Sequence, residues 1–236
     1  MHLVKLCLKL CATTTDVARV VQEVGSGVKN FKPGDEIVAV FNQFTGGGLV
    51  EYAVAKESLT VPRPPEISAA EGASRPIASL TAHLALSQSA GIKLDGSGPR
   101  KNVLITAASG GVGHYAVQLV KLENTHVTAT CGINYKTPEG AALKSPSGQK
   151  YDKVIHCTTG IPWSVFDPNL TKTGKVIDLT PNPSAMWTFA IKKLTFSKKQ
   201  LVPLLLIPKE EGLDAVVKLG KEGKLKTVID SKHPLS

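Results

Sequence analysis

The sequence predicts an α/β protein: a parallel sheet covered by helices, preceded by a smaller β domain. Three observations carry this reading. Over residues 17–61, short apolar runs alternate with Gly and Pro punctuation, the pattern of a small barrel-like β domain. From Asn102 onward, apolar strands alternate with helical stretches, the pattern of a parallel sheet with crossover helices. Between the first such strand and helix lies a glycine turn, Gly110-Gly111-Val112-Gly113. With 236 residues, 42% of them hydrophobic, the chain can bury one large core or two modest ones.

The elements follow in order. The start, Met1-His2-Leu3-Val4-Lys5-Leu6-Cys7-Leu8-Lys9-Leu10, reads as a strand, since it lacks the charged region, apolar core and cleavage site of a signal peptide. The run 17–24 stops at Gly25-Ser26-Gly27. Lys32-Pro33-Gly34-Asp35 makes a turn into the strand 36–40, because Pro presets the first turn dihedral and Gly accepts the second. Gly46-Gly47-Gly48 precedes another alternating run, 49–54. Pro62, Pro64 and Pro65 then end the β region, and Leu80-Thr81-Ala82-His83-Leu84-Ala85-Leu86 reads as a helix. Strands are expected over 102–106, 127–131, 153–157 and 175–179, with a helix over 111–122. An amphipathic helix over 210–221 and a last strand over 227–230 close the chain.

The formal charge of +9 favours anionic partners. The pairs Lys192-Lys193 and Lys198-Lys199 are too short for a nucleic-acid arm, and aromatics at 5% give no stacking platform, so nucleic acid is disfavoured. A solvated surface or peripheral contact with an anionic membrane remains. No apolar run is long enough to span a bilayer. Cys7, Cys11, Cys131 and Cys157 make neither a disulfide framework nor a zinc-ligand cluster, which predicts a reducing compartment and no metal.

The chemistry concentrates at residues 102–119. An apolar strand enters a glycine turn, then a helix, and Gly111-x-Gly113-x-x-Ala116 fits the dinucleotide fingerprint. Such a turn lets the backbone approach a pyrophosphate, which the helix-start N–H groups and dipole then hold. A chance glycine turn is the bland alternative, weakened here by the strand before it and the helix and strand after it. The next strand ends in Cys131-Gly132-Ile133-Asn134-Tyr135-Lys136, without the acid that would bind a free ribose 2′-hydroxyl. Lys136 can pair with a 2′-phosphate, so NADPH is the predicted cofactor.

At this point the residues resemble a known family. Ala107-Ala108-Ser109-Gly110-Gly111-Val112-Gly113 with Ala116 and Gln118 resembles the fingerprint of the quinone-oxidoreductase-like medium-chain dehydrogenases/reductases. Leu80-Thr81-Ala82, Val24-Gly25-Ser26-Gly27-Val28, Phe31-Lys32-Pro33-Gly34-Asp35 and Gly47-Gly48-Leu49-Val50-Glu51-Tyr52 extend the likeness over most of the chain. The stretches 136–148 and 197–208 are similar to its plant chloroplast-envelope branch. The resemblance implies a truncated GroES-like substrate-side domain over 1–72 and a Rossmann dinucleotide-binding domain over 73–205. A C-terminal helix and strand, 206–236, would return to the barrel, also truncated.

It further implies zinc-free, NADPH-dependent reduction of quinones or α,β-unsaturated carbonyls, a homodimer built by extending the Rossmann sheet, and a peripheral place on the chloroplast inner envelope. By position, Thr81 and Cys157 would approach the nicotinamide end, and Ser109, Gly110, Gly111, Val112 and Gly113 the pyrophosphate. Cys131, Gly132, Tyr135 and Lys136 would flank the adenosine end. Thr81 and Cys157 are also ordinary packing residues in many cores.

Against the family pattern, most of a segment after Thr13 is missing, so no catalytic residue carries over. A helix and third sheet strand are missing after Gly132, as are the final helix and strand. Arg75 stands where the family has an apolar residue. These departures support an alternative, a catalytically impaired nucleotide-binding or membrane-surface remnant of the family.

Overall fold

The computed structural model describes residues 3–7, 15–41, 52–131 and 142–232. The chain forms two compact units, Met1–Leu80 with Ile207–Ser236, and Thr81–Leu206.

The first unit is built on five strands: β1 (Leu3–Cys7), β2 (Asp16–Val24), β3 (Glu36–Val40), β4 (Tyr52–Lys56) and β5 (Thr60–Pro62). They form one sheet in the order β4-β1-β2-β3-β5, and its pairings are antiparallel. Val17, Val21, Ile37, Ala39, Phe41, Ala53 and Ala55 make its core. The predicted turn before β3 forms: Gly34 takes φ +92°, Asp35 N–H donates to Lys32 O at 3.2 Å, and Lys32 N–H donates to the Asp35 carboxylate at 2.9 Å. Helix α1 (Ala69–Ser74) opens with a capping box in which Ser68 and Glu71 serve each other's backbone N–H.

Helix α2 (Pro76–Leu84) has a cap that sequence spacing does not announce. Ile77 N–H donates to both oxygens of Asp16, each at 3.2 Å, from 61 residues away. Burial pushes the Asp16 carboxyl up to about 6 against the pull of this bond. Arg75 is buried, packed beneath Gly220, where a side chain would collide with the guanidinium. A charged group is therefore buried at this position.

The second unit carries five parallel strands and their helices. In chain order these are β6 (Lys101–Thr106), α3 (Gly111–Lys121), β7 (Thr125–Ala129), β8 (Tyr151–His156), α4 (Trp163–Phe166), β9 (Leu170–Asp178), α5 (Pro183–Leu194) and β10 (Gln200–Pro203). The sheet order is β10-β9-β8-β6-β7. Its central strands are buried because both faces are covered, and Leu104, Tyr151, Val154, Phe166, Leu170, Val176 and Leu201 form a core. By contrast β7, at the edge among the described residues, is half-buried along most of its length.

Helix α6 (Glu210–Lys221) matches the predicted amphipathic helix residue for residue and buries Leu213, Val216 and Val217. The expected last strand does not form: 226–230 pair with no strand among the described residues, and Val228 is exposed.

Candidate functional site

The glycine turn behaves as a strand-to-helix junction should. Ala107 adopts φ +49° and Gly110 N–H donates to Ala107 O at 2.9 Å, closing the turn directly after β6. A side chain at Gly113 would collide with the Ala107 carbonyl and come within 2.7 Å of Ala108 Cα. Only glycine lets α3 start this close to the strand that feeds it. At Gly111 a side chain would meet nothing within 4 Å, so the same helix turn is open on its outer side.

The first intrahelical bond of α3 runs from His114 N–H to Gly110 O at 3.1 Å, and the Gly110 cap has no side-chain acceptor. The preceding N–H groups of Gly111, Val112 and Gly113 thus have no intrahelical acceptor. Ser109, Gly110 and Gly111 are exposed beside them. This arrangement, with Gly113 making room, fits the pyrophosphate of a dinucleotide.

The remaining expected residues fall as follows. Ala108 N–H donates to Thr130 O at 2.8 Å, which ties the glycine turn to the end of β7, where Cys131 is exposed. Cys157 follows β8; its N–H donates to Thr106 Oγ1 at 3.0 Å, and burial pushes its thiol up to about 12. Ser109 to Gly113, Cys131 and Cys157 therefore meet at the carboxyl ends of β7, β6 and β8, where open α/β sheets bind ligands. Thr81 is buried on α2, outside the sheet. Gly132, Tyr135 and Lys136 lie outside the described residues.

Sequence reasoning missed the polar row beneath these loops. Thr106, His156 and Asp178 end three adjacent strands, pair in register, and are all buried. Thr106 Oγ1 lies 3.0 Å from His156 Nδ1, and Asp178 Oδ1 accepts from Thr180 N–H at 3.1 Å. Burial holds the His156 imidazole below its usual range, opposed by the Asp178 carboxylate. A cavity of about 120 Å³ opens beside His156 and Asp178, walled by Trp163, Phe166, Thr180 and Thr188. The signal was available: each of the runs ending in Thr106, His156 and Asp178 is an apolar strand whose last residue is polar.

Comparison with known proteins fits this geometry. The chain is 65% identical over 241 residues to the chloroplast envelope quinone oxidoreductase homologue of Arabidopsis thaliana, covering 96% of this chain and 73% of that protein. The chain belongs to this family of chloroplast quinone-oxidoreductase homologues. A second member, the chloroplastic quinone-oxidoreductase homologue of Spinacia oleracea, is 68% identical over 237 residues, with 94% and 72% covered. Among solved structures, the quinone oxidoreductase of Coxiella burnetii superposes with a TM-score of 0.79 at 28% identity, covering 92% of this chain and 70% of that one.

The wider family is one of nicotinamide-dependent medium-chain oxidoreductases. Residues 127–236 also match the family model described as zinc-binding dehydrogenase. Among the described residues, no group of three or more His, Cys, Asp and Glu side chains is gathered to hold a metal ion.

Proposed function

We propose that this chain is an NADPH-dependent reductase of quinones or α,β-unsaturated carbonyls. The observation that carries the reading is the α3 start, where backbone N–H groups with no intrahelical acceptor and the space kept by Gly113 suit a pyrophosphate. In this reading Ser109, Gly110, Gly111, Val112 and Gly113 hold the pyrophosphate. Cys131, Gly132 and Tyr135 border the adenosine, and Lys136 pairs with the 2′-phosphate. The absence of any acid over 126–136 supports NADPH over NADH, since no carboxylate opposes that phosphate.

Thr81 and Cys157 sit toward the nicotinamide. Cys157 stays a neutral thiol there, so it packs and excludes water rather than attacking substrate. When bound, the nicotinamide supplies hydride to the activated C=C or quinone ring, and the chain orients it. The same reading includes a homodimer that extends the sheet at β10, and peripheral contact of this basic protein with an anionic chloroplast membrane.

A second reading, cofactor binding without turnover, draws on β7. That strand would flank the adenosine and is half-buried at the sheet edge. Fluorescence titration with NADPH and NADH side by side tests the first step. NADPH-selective binding that Lys136→Ala weakens about ten-fold, with NADH unaffected, is the expected result. Absence of binding by the folded chain overturns both readings. Binding without oxidation of NADPH by any quinone or enone selects the second.

A further inference from the structure

Three lysines stand side by side on one face of the parallel sheet. Lys153 on β8 pairs in register with Lys175 on β9, and Val103 on β6 pairs with Lys153. Lys101 precedes Val103 by two residues, so all three side chains leave the sheet on the same face. Each lies two residues before a fully buried apolar residue of that face: Val103, Ile155 or Ile177. The lysines thus border the core and are themselves half-buried.

Neighbouring strands lie about 4.8 Å apart, and like charges directly opposite one another destabilise a sheet. This cluster lacks a carboxylate to offset the repulsion. Asp152 leaves β8 on the other face, where it accepts from Asn102 N–H at 2.9 Å and Thr171 Oγ1 at 3.2 Å. Among the described residues, no carboxylate forms an ion pair with any of the three lysines. Lys153 sits on the third strand in from β10, the edge of the proposed dimer, and both of its basic neighbours come from its own chain.

Burial first, then Lys175 and Lys101, lowers the Lys153 pKa to about 8, against a weaker pull from Asp152. At pH 7.5 about a quarter of its amines are then neutral, against about one in a thousand for an ordinary lysine. A less basic amine is a poorer nucleophile, which takes back about ten-fold and leaves a net gain of about ten-fold. Neighbouring cations are one of the ways in which proteins make a lysine nucleophilic. Here those neighbours serve a second purpose, since two ammonium groups beside the amine can hold a phosphate by charge.

We infer that Lys153, between Lys101 and Lys175, is a self-acylation site that takes acyl phosphates. The Lys153 nitrogen bonds to the acyl carbon, and the bond from that carbon to the phosphate oxygen breaks. Inorganic phosphate leaves with the electron pair, and the amine proton passes to solvent. The amide product is uncharged, so the reaction also removes the repulsion that activated the amine. The site lies toward the amino ends of β6 and β8, away from the glycine turn that follows β6, and its test needs no cofactor.

The test is incubation of the full chain with acetyl phosphate at pH 7.5 and fixed ionic strength, with acetylation of each lysine followed in time by peptide mass spectrometry. Lys153 is expected to react about ten-fold faster than the exposed Lys172. Lys101→Gln and Lys175→Gln should each slow Lys153 several-fold and leave Lys172 unchanged, while Tm holds or rises as repulsion is relieved. If Lys153 reacts no faster than Lys172, or if neither variant changes its rate, the inference fails. Acetic anhydride, which carries no phosphate, separates nucleophilicity from recognition. Added inorganic phosphate should slow the acetyl phosphate reaction at Lys153 and leave the anhydride reaction alone. Equal behaviour with the two reagents overturns the acyl-phosphate assignment.

Discussion

Thr106 and His156 are joined across adjacent strands, with Oγ1 3.0 Å from Nδ1, and the same hydroxyl accepts the Cys157 N–H at 3.0 Å. Both partners are satisfied by a neutral imidazole that accepts the hydroxyl proton at Nδ1 and carries its own on Nε2. Thr106→Val removes the hydroxyl without changing the shape of the site, leaving a buried ring nitrogen and a backbone N–H short of a partner. A loss of about 2–3 kcal/mol in denaturant unfolding is expected, with Thr106→Ser losing about 1 kcal/mol or less.

His156 also sets a pH dependence. Its folded pKa lies below the unfolded one, so its contribution to stability is full above about pH 6.5 and declines as the pH falls. Melting curves from pH 7 to pH 5 should fall less steeply for His156→Gln than for the wild type.

Asp16 has the opposite sign. Its folded pKa is raised to about 6, so the stability linked to it is full below the unfolded value and is lost as the pH rises through 6. Asp16→Asn keeps an acceptor for Ile77 N–H without a buried charge. It should stabilise the protein by about 2 kcal/mol at pH 8 and by almost nothing at pH 4, measured by thermal unfolding at both.

Two glycines of one helix turn separate folding from binding. Gly113→Ala drives a methyl into the Ala107 carbonyl and should cost about 1–3 kcal/mol of stability before any cofactor is added. Gly111→Ala meets open space and should leave Tm unchanged, yet weaken NADPH about ten-fold if the pyrophosphate rests there. Unchanged affinity in Gly111→Ala would move the phosphates off this turn.

Lys153 lies half-buried between Lys101 and Lys175, and its pKa is lowered to about 8, first by burial and then by those neighbours. Its charging costs stability as the pH falls from 10.5 through 8. Lys153→Met should raise stability by about 1 kcal/mol at pH 7, discounted for solvent screening, with the gain fading toward pH 10.

The strand–turn–helix at 101–121, the turn at Gly34 and the helix α6 were all legible in the sequence. Each is fixed by interactions a few residues long: hydrophobic period, glycine and proline geometry, and amphipathic spacing. The segment 226–230 marks the limit of that reasoning, since its apolar pair Val228-Ile229 belongs to no strand among the described residues.

By itself the sequence determined the β-rich start, the alternation of strands and helices after it, and the glycine turn between β6 and α3. Tertiary structure alone decided that Thr106 meets His156 from 50 residues away and that Asp16 caps α2. Local pattern encodes period and turn chemistry; neighbours across a sheet depend on strand register, which the packing of the whole core selects.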